Sequence, residues 1–151
     1  MLLAAEKEYN MIYNEEKRDL FKVSADYCLA HCISADFDMG KGIVVQFNRR
    51  FKIKSRLMAE KPGYTWQGPD CIVIDRVFNL ITKKKYWGKP TLGTLTNAVE
   101  KMKEYAVKHG IKKIAMPIIG CGLDGLQWSE VSLMIQRIFQ DTDIEILVCK
   151  Q

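Results

Sequence analysis

Apolar positions recur at two different periods along this 151-residue chain, and the change from one period to the other marks out its elements. Leu92, Leu95, Val99, Met102 and Ala106 keep three-and-four spacing, the stripe of an amphipathic helix. Thr91 stands before them as an N-cap. Lys108 and His109 occupy the last turn, and Gly110 follows as a stop. A second stripe runs through Val131, Met134, Ile135, Ile138 and Phe139, and a third through Ile43, Val44, Phe47 and Phe51. Residues 53–60 add a short helical piece that Pro62-Gly63 ends. Between these stripes lie compact apolar runs at residues 27–33, 71–74, 77–81, 111–115 and 143–149, which read as strands. Residues 9–13 read as a first strand and residues 14–18 as a charged turn. Asp75-Arg76 joins 71–74 to 77–81 as a hairpin.

The order strand 77–81, helix, strand from 111, helix, strand 143–149 makes two successive βαβ units. Such units imply parallel pairing and right-handed crossovers. With helices on both faces, the class is α/β: a three-layer α/β/α sandwich around a mixed, largely parallel sheet. No internal repeat or linker divides the chain, so one domain is expected over residues 1–151.

Composition removes several alternatives. The longest apolar runs, such as residues 42–45, are far too short to span a bilayer. The N-terminus lacks a basic region and turns charged at Glu6, so no signal peptide is expected. Five cysteines without a C-x-x-C pair suit a reducing cytoplasm better than a disulfide framework. Two histidines, His31 and His109, without clustered ligands argue against a zinc site. His31 lies inside an apolar run and reads as a core histidine. A net charge of +5 allows attraction to phosphate-bearing ligands or nucleic acid, and equally describes a solvated basic surface.

In open α/β sheets, ligands sit beyond the carboxyl ends of the strands. Three unusual loops hold that kind of position: residues 34–42, the Lys83 segment, and residues 120–124. Two are glycine-rich and lead into helices, as a diphosphate cradle requires. Neither contains a G-x-x-x-x-G-K-[ST] loop, and the third glycine of G-x-G-x-x-G is missing after Gly120 and Gly122. Lys83 belongs to a charge run, but it stands directly at a strand end. A lysine amine of ordinary pKa ~10.4 acts as a nucleophile only when desolvated or flanked by cations, which Lys84 and Lys85 could supply. Asp124 is the candidate acid/base partner, and Asp19 reads as a turn closer.

These residues resemble the macrodomain family, and within it the terminal ADP-ribose protein glycohydrolase branch. The matching motifs are Asp19-Leu20-Phe21, Ala30-His31-Cys32-Ile33-Ser34, Met39-Gly40-Lys41-Gly42-Ile43, Leu80-Ile81-Thr82-Lys83-Lys84, Met116-Pro117-Ile118-Ile119-Gly120-Cys121-Gly122-Leu123-Asp124 and Leu126-Gln127-Trp128. They run in family order through nearly the whole chain. The resemblance implies that Asp19, with Leu20 beside it, meets the adenine of ADP-ribose. It implies that Gly40, Lys41, Gly42 and Ile43, with Ile118, Ile119, Gly120, Cys121, Gly122 and Leu123, hold the diphosphate and distal ribose, with Ser34 alongside. Lys83 matches the lysine that attacks the anomeric carbon, and Asp124 the acid/base residue. No metal or cofactor is implied. Lys41 and Gly125 depart from the pattern, and Cys149 replaces an aromatic near the adenine. The implied activity is hydrolysis of mono-ADP-ribose from acidic side chains, together with deacylation of O-acyl-ADP-ribose. The alternatives are a non-catalytic ADP-ribose-binding module or a hydrolase acting on ADP-ribosylated nucleic acid. Expected partners are ADP-ribose and mono-ADP-ribosylated proteins, with no membrane, for a cytoplasmic monomer.

Overall fold

A computed structural model describes residues 8–151, so the leader-free reading of the N-terminus falls mainly outside the described residues. Six strands form one sheet in the order β1-β6-β5-β2-β4-β3. They are β1 (Ile12–Lys17), β2 (Cys28–Ser34), β3 (Asp70–Ile74), β4 (Val77–Lys83), β5 (Lys113–Met116) and β6 (Glu145–Lys150). Every pairing is parallel except β3 with β4, the hairpin expected around Asp75-Arg76. Asp75 takes a positive φ of 55° to make that short turn.

Among the described residues, four α-helices cover the sheet: α1 (Val44–Phe51), α2 (Ile53–Glu60), α3 (Leu92–Lys108) and α4 (Trp128–Phe139). The α3 stripe, Leu95, Val99, Met102 and Ala106, is fully buried with Val131, Ile135 and Phe139 of α4 on one face. Phe47, Ile53 and Leu57 of α1 and α2 pack with Leu29, Ile33 and Ile81 on the other. This is the expected three-layer sandwich. Thr91 caps α3 reciprocally with Thr94, each accepting from the other's amide at 3.0 Å. Gly110, at φ +67°, ends the helix as its position suggests.

Two expectations need correction. The first strand is Ile12–Lys17, not residues 9–13, so the supposed charged turn is the strand itself. β1 is an edge strand with β6 as its partner, and five of its six residues are exposed. Ladder hydrogen bonds hold it, assisted by the Lys150–Glu15 ion pair at 2.9 Å, and charge on an edge discourages stray pairing. The second correction concerns the βαβ units. β5 does pair with β6, but β4 and β5 are separated by β2, which inserts between them. A crossover specifies parallel direction without specifying adjacency, so β2, from earlier in the chain, takes the central place.

His31 is fully buried, as its apolar surroundings suggest. Its ring stacks on Phe47 at 3.9 Å between centroids. Asn79 donates through Nδ2 to the carbonyls of Ile72 and Val77, leaving Oδ1 to accept from His31 Nε2. Burial drives the imidazole pKa down to about 4, despite the opposing hydrogen bond, and keeps the ring neutral.

Candidate functional site

β5, β2 and β4 are consecutive in the sheet and parallel, so the loops that follow them emerge on one edge. β2 ends at Ser34 and β4 at Lys83, and a register irregularity after Ile33 sets these two residues side by side. The loop after β5 carries Asp124 to meet them. Lys83 Nζ lies 2.7 Å from Asp124 Oδ1, with the two side chains 16% and 15% exposed. Local sequence cannot bring together groups 41 residues apart; the parallel order of β5, β2 and β4 does.

Side-chain hydrogen bonds hold the loops against one another. Asp36 Oδ2 accepts the Tyr86 amide at 3.0 Å, while Oδ1 accepts the Ser34 hydroxyl and the Asp38 amide. Lys89 Nζ donates to the Leu123 carbonyl, joining the Lys83 loop to the glycine loop. A Cβ on Gly42 would stand 3.4 Å from Leu123 Cδ1, so the Leu123 side chain of one glycine loop lies next to the bare side of Gly42 in the other. Among the described residues, the amides of Gly42, Ile43, Gly122 and Leu123 donate to no protein acceptor. Together with the start of α1 they form a cradle for an anion.

Gly120 serves packing. At φ +74°, its missing Cβ would lie 2.9 Å from Leu95 Cδ2 and 3.1 Å from Leu126 Cδ1. Leu126 fills the space above it and donates its amide to the Gly120 carbonyl at 2.8 Å. Trp128 Nε1 donates to Glu15 at 3.2 Å, so the Leu-Gln-Trp segment anchors the loop and the start of α4. Gly122 has open space where its side chain would be. Gly125, at φ +77°, closes a turn onto the Gly122 carbonyl and presents Asp124 toward Lys83.

The other expected site residues divide by accessibility. Gly40 and Lys41 are exposed, Ile43 and Cys121 are half-buried, and Ile118 and Leu123 are exposed on the rim. Leu20 and Ile119 are core residues, which leaves their backbones for any ligand. Ser34 is buried with its hydroxyl directed at Asp36. Asp19 follows β1 on the same edge, caps a 3-10 turn at Leu20–Lys22, and accepts the Phe21 amide at 2.9 Å. From β1 to β4 is four strand spacings, about 19 Å, so the site is elongated. Cys149 lies buried beside this end, near Asp19.

Neither cysteine near the pair is a nucleophile candidate. Burial first, then the Asp124 charge, raises the Cys32 thiol far above its ordinary value and pushes Cys121 up to about 11. Asp36 carries no distinctive signal in the sequence. Its Ser34-x-Asp36-x-Asp38 spacing hints at local turns, but the Tyr86 contact spans 50 residues and leaves no local trace. Burial acts to raise the Asp36 carboxyl, and its three hydrogen bonds, together with the nearby Lys85 charge, outweigh that, holding it below the usual carboxylate range. The hollow between α3 and α4, lined by Glu104, Val107 and Ile138, carries none of these groups.

Comparison with known proteins agrees with this architecture. The Macro domain family model matches residues 68–135. The chain is 41% identical over 136 residues to the human protein named ADP-ribose glycohydrolase OARD1, covering 87% of each chain. This chain belongs to the macrodomain family. It is also 31% identical over 72 residues to a Thermosipho africanus DNA ADP-ribosyl transferase-DNA ADP-ribosyl glycohydrolase fusion protein. That match covers 47% of this macrodomain and 19% of the fusion protein. The solved macrodomain of Thermus aquaticus DarG superposes with a TM-score of 0.74 at 21% identity, over 94% of this chain and 100% of that one, a likeness of fold.

Proposed function

We propose that this macrodomain is a hydrolase that releases ADP-ribose from carboxylate esters, on glutamate or aspartate side chains of proteins and in O-acyl-ADP-ribose. The observation that carries the reading is the Lys83–Asp124 pair, 2.7 Å apart beside a cradle of unspent backbone amides. The name of the human relative, ADP-ribose glycohydrolase, at 41% identity, supports the release of ADP-ribose.

In this reading the glycine loops hold the diphosphate, Asp19 holds the adenine end, and Lys83 meets the anomeric carbon of the distal ribose. Asp124 accepts a proton from the Lys83 ammonium and frees its lone pair. The amine nitrogen then bonds to the anomeric carbon as the carbon–oxygen bond to the carboxylate breaks, and the carboxylate departs with the electron pair. Through solvent, the released carboxylate takes up the proton that Asp124 holds and becomes the carboxylic acid, which leaves Asp124 a base again. Water then adds to the lysine-linked sugar as the carbon–nitrogen bond breaks, and Asp124 takes a proton from that water and passes it to the departing amine. The sum is ester plus water giving carboxylic acid plus ADP-ribose.

The chemistry sets the linkage preference. A carboxylate leaves at neutral pH without protonation, whereas an alkoxide needs strong acid assistance. Incubation with glutamate-linked protein, serine-linked protein and ADP-ribosylated DNA in parallel, with released ADP-ribose measured, tests it. Glutamate esters are expected to be cleaved and serine ethers to resist; equal rates on both would overturn the mechanism. A second reading, action on ADP-ribosylated nucleic acid, is favoured by the similarity to the Thermosipho fusion protein. Release from the DNA arm alone would establish it instead.

A further inference from the structure

Beyond the Lys83–Asp124 pair, away from Asp19, the Lys83 loop holds two aromatic side chains in solvent. Trp87 is 67% exposed and Tyr86 54%. Exposed aromatics on a loose loop would mean little, but this loop is fastened. The Tyr86 amide is bound by Asp36, the Gly88 amide closes onto the Lys85 carbonyl at 2.9 Å, and Lys89 is bound to the Leu123 carbonyl. The rings meet edge to face at 5.0 Å, and Lys85 Nζ sits 6.0 Å from the Trp87 centroid. Among the described residues, Lys84, Lys85 and Lys89 form no salt bridge.

The sheet order says which part of a substrate meets this surface. Asp19 follows edge strand β1, and the reacting pair stands over β2 and β4, toward the other side. A nucleotide running from Asp19 to Lys83 leaves the Tyr86–Trp87 loop for whatever the ribose is attached to. We infer that Tyr86, Trp87, Lys84 and Lys85 form a recognition surface for the carrier, an acidic polypeptide segment around the modified side chain. The inference rests on the proposed function for the position of the ribose. Lysine charges that no salt bridge engages complement carboxylates next to the modified residue, and exposed aromatic faces suit peptide planes and side-chain stems. The ring geometry disfavours a nucleic-acid carrier. Successive bases stack on parallel faces, and these two rings stand at 86° to each other.

The test uses the whole protein and amide-linked, hydrolysis-resistant mimics of an ADP-ribosylated glutamate, so that binding is read whether or not turnover occurs. One peptide carries aspartate and glutamate around the modified residue, a second asparagine and glutamine, and a third probe is an ADP-ribosylated single-stranded oligonucleotide. Free ADP-ribose is the reference. The acidic peptide is expected to bind roughly tenfold tighter than the neutral one. A Lys84→Ser, Lys85→Ser double variant should erase that preference, and a Tyr86→Ala, Trp87→Ala double variant should weaken both peptides, each while leaving free ADP-ribose affinity unchanged. Equal binding of the two peptides, or an equal loss for ADP-ribose itself, would overturn the inference. Preference for the oligonucleotide that the variants abolish would overturn it in favour of nucleic acid. Failure of the hydrolase reading shows separately, as intact glutamate ester after incubation with wild-type protein.

Discussion

Asp36 Oδ2 accepts the Tyr86 amide at 3.0 Å, while Oδ1 of the same carboxylate accepts the Ser34 hydroxyl and the Asp38 amide. One side chain thus ties the end of β2 to the loop that leaves Lys83. Asp36→Ala should lower turnover of glutamate esters by about tenfold or more, because misplacement of reacting groups by an ångström is costly. ADP-ribose affinity, which the proposed function assigns to the glycine loops, should change far less. Titration calorimetry and steady-state kinetics separate the two, and an equal loss in both would mean a collapsed site. Acid sensitivity should change too. The folded protein holds this carboxyl below its unfolded value, so the unfolded chain binds more protons as the pH falls through that range. The stability Asp36 contributes is complete above its unfolded pKa and lost as the pH drops through its folded one. Asp36→Asn should flatten the acid limb of the unfolding curve.

Lys83 and Asp124 are assigned to bond making, and the loops to affinity. Lys83→Ala should abolish turnover yet keep ADP-ribose binding. Lys83→Arg should be equally inactive, because guanidinium keeps the charge but does not act as an amine nucleophile. Asp124→Ala should slow resolution more than attack, so intact-protein mass spectrometry should find an ADP-ribose adduct that maps to Lys83. Near-normal activity of the arginine variant would remove the covalent mechanism.

The glycines of one loop should separate stability from ligand affinity. Gly120→Ala places a methyl 2.9 Å from Leu95 Cδ2 at a left-handed φ of +74°, and should cost roughly 2–4 kcal/mol of stability. Gly122→Ala meets nothing within 4 Å, so its melting temperature should stay near wild type. Its ADP-ribose affinity should fall, because the added methyl stands where a ligand approaches the loop. Thermal melts and calorimetry on both variants check this, and a stable Gly120→Ala protein would refute the packing account.

His31 predicts a second pH dependence. Its folded pKa, driven down to about 4 by burial, lies below the unfolded value near 6.5. Between these values the unfolded chain binds the extra proton, so stability is complete above about 6.5 and lost as the pH falls toward 4. The shift corresponds to an effect on the order of 3 kcal/mol, at 1.36 kcal/mol per unit. Denaturant midpoints measured across this range should fall on acidification. A His31→Leu protein should show a flatter slope, and an unchanged slope would place the effect on other groups.

The sequence by itself determined which segments become helices, and most of the strands. The stripes of α3 and α4, the Thr91 cap and the Gly110 stop are local signals, since helix periodicity and terminal hydrogen bonding depend on near neighbours. Ordered motifs such as Gly120-Cys121-Gly122-Leu123-Asp124 also pointed to the family and singled out Lys83 and Asp124, which lie 2.7 Å apart in the fold. Local pattern misplaced β1, because an edge strand is held by ladder hydrogen bonds and needs no apolar stripe. It also could not insert β2 between β4 and β5, since direction of pairing is encoded in a crossover but adjacency is not. That placement belongs to tertiary structure alone. It brings Ser34 beside Lys83, Asp124 within 2.7 Å of the lysine, and Asp36 under the Tyr86 amide, contacts between residues remote in the chain that form only when the sheet is complete.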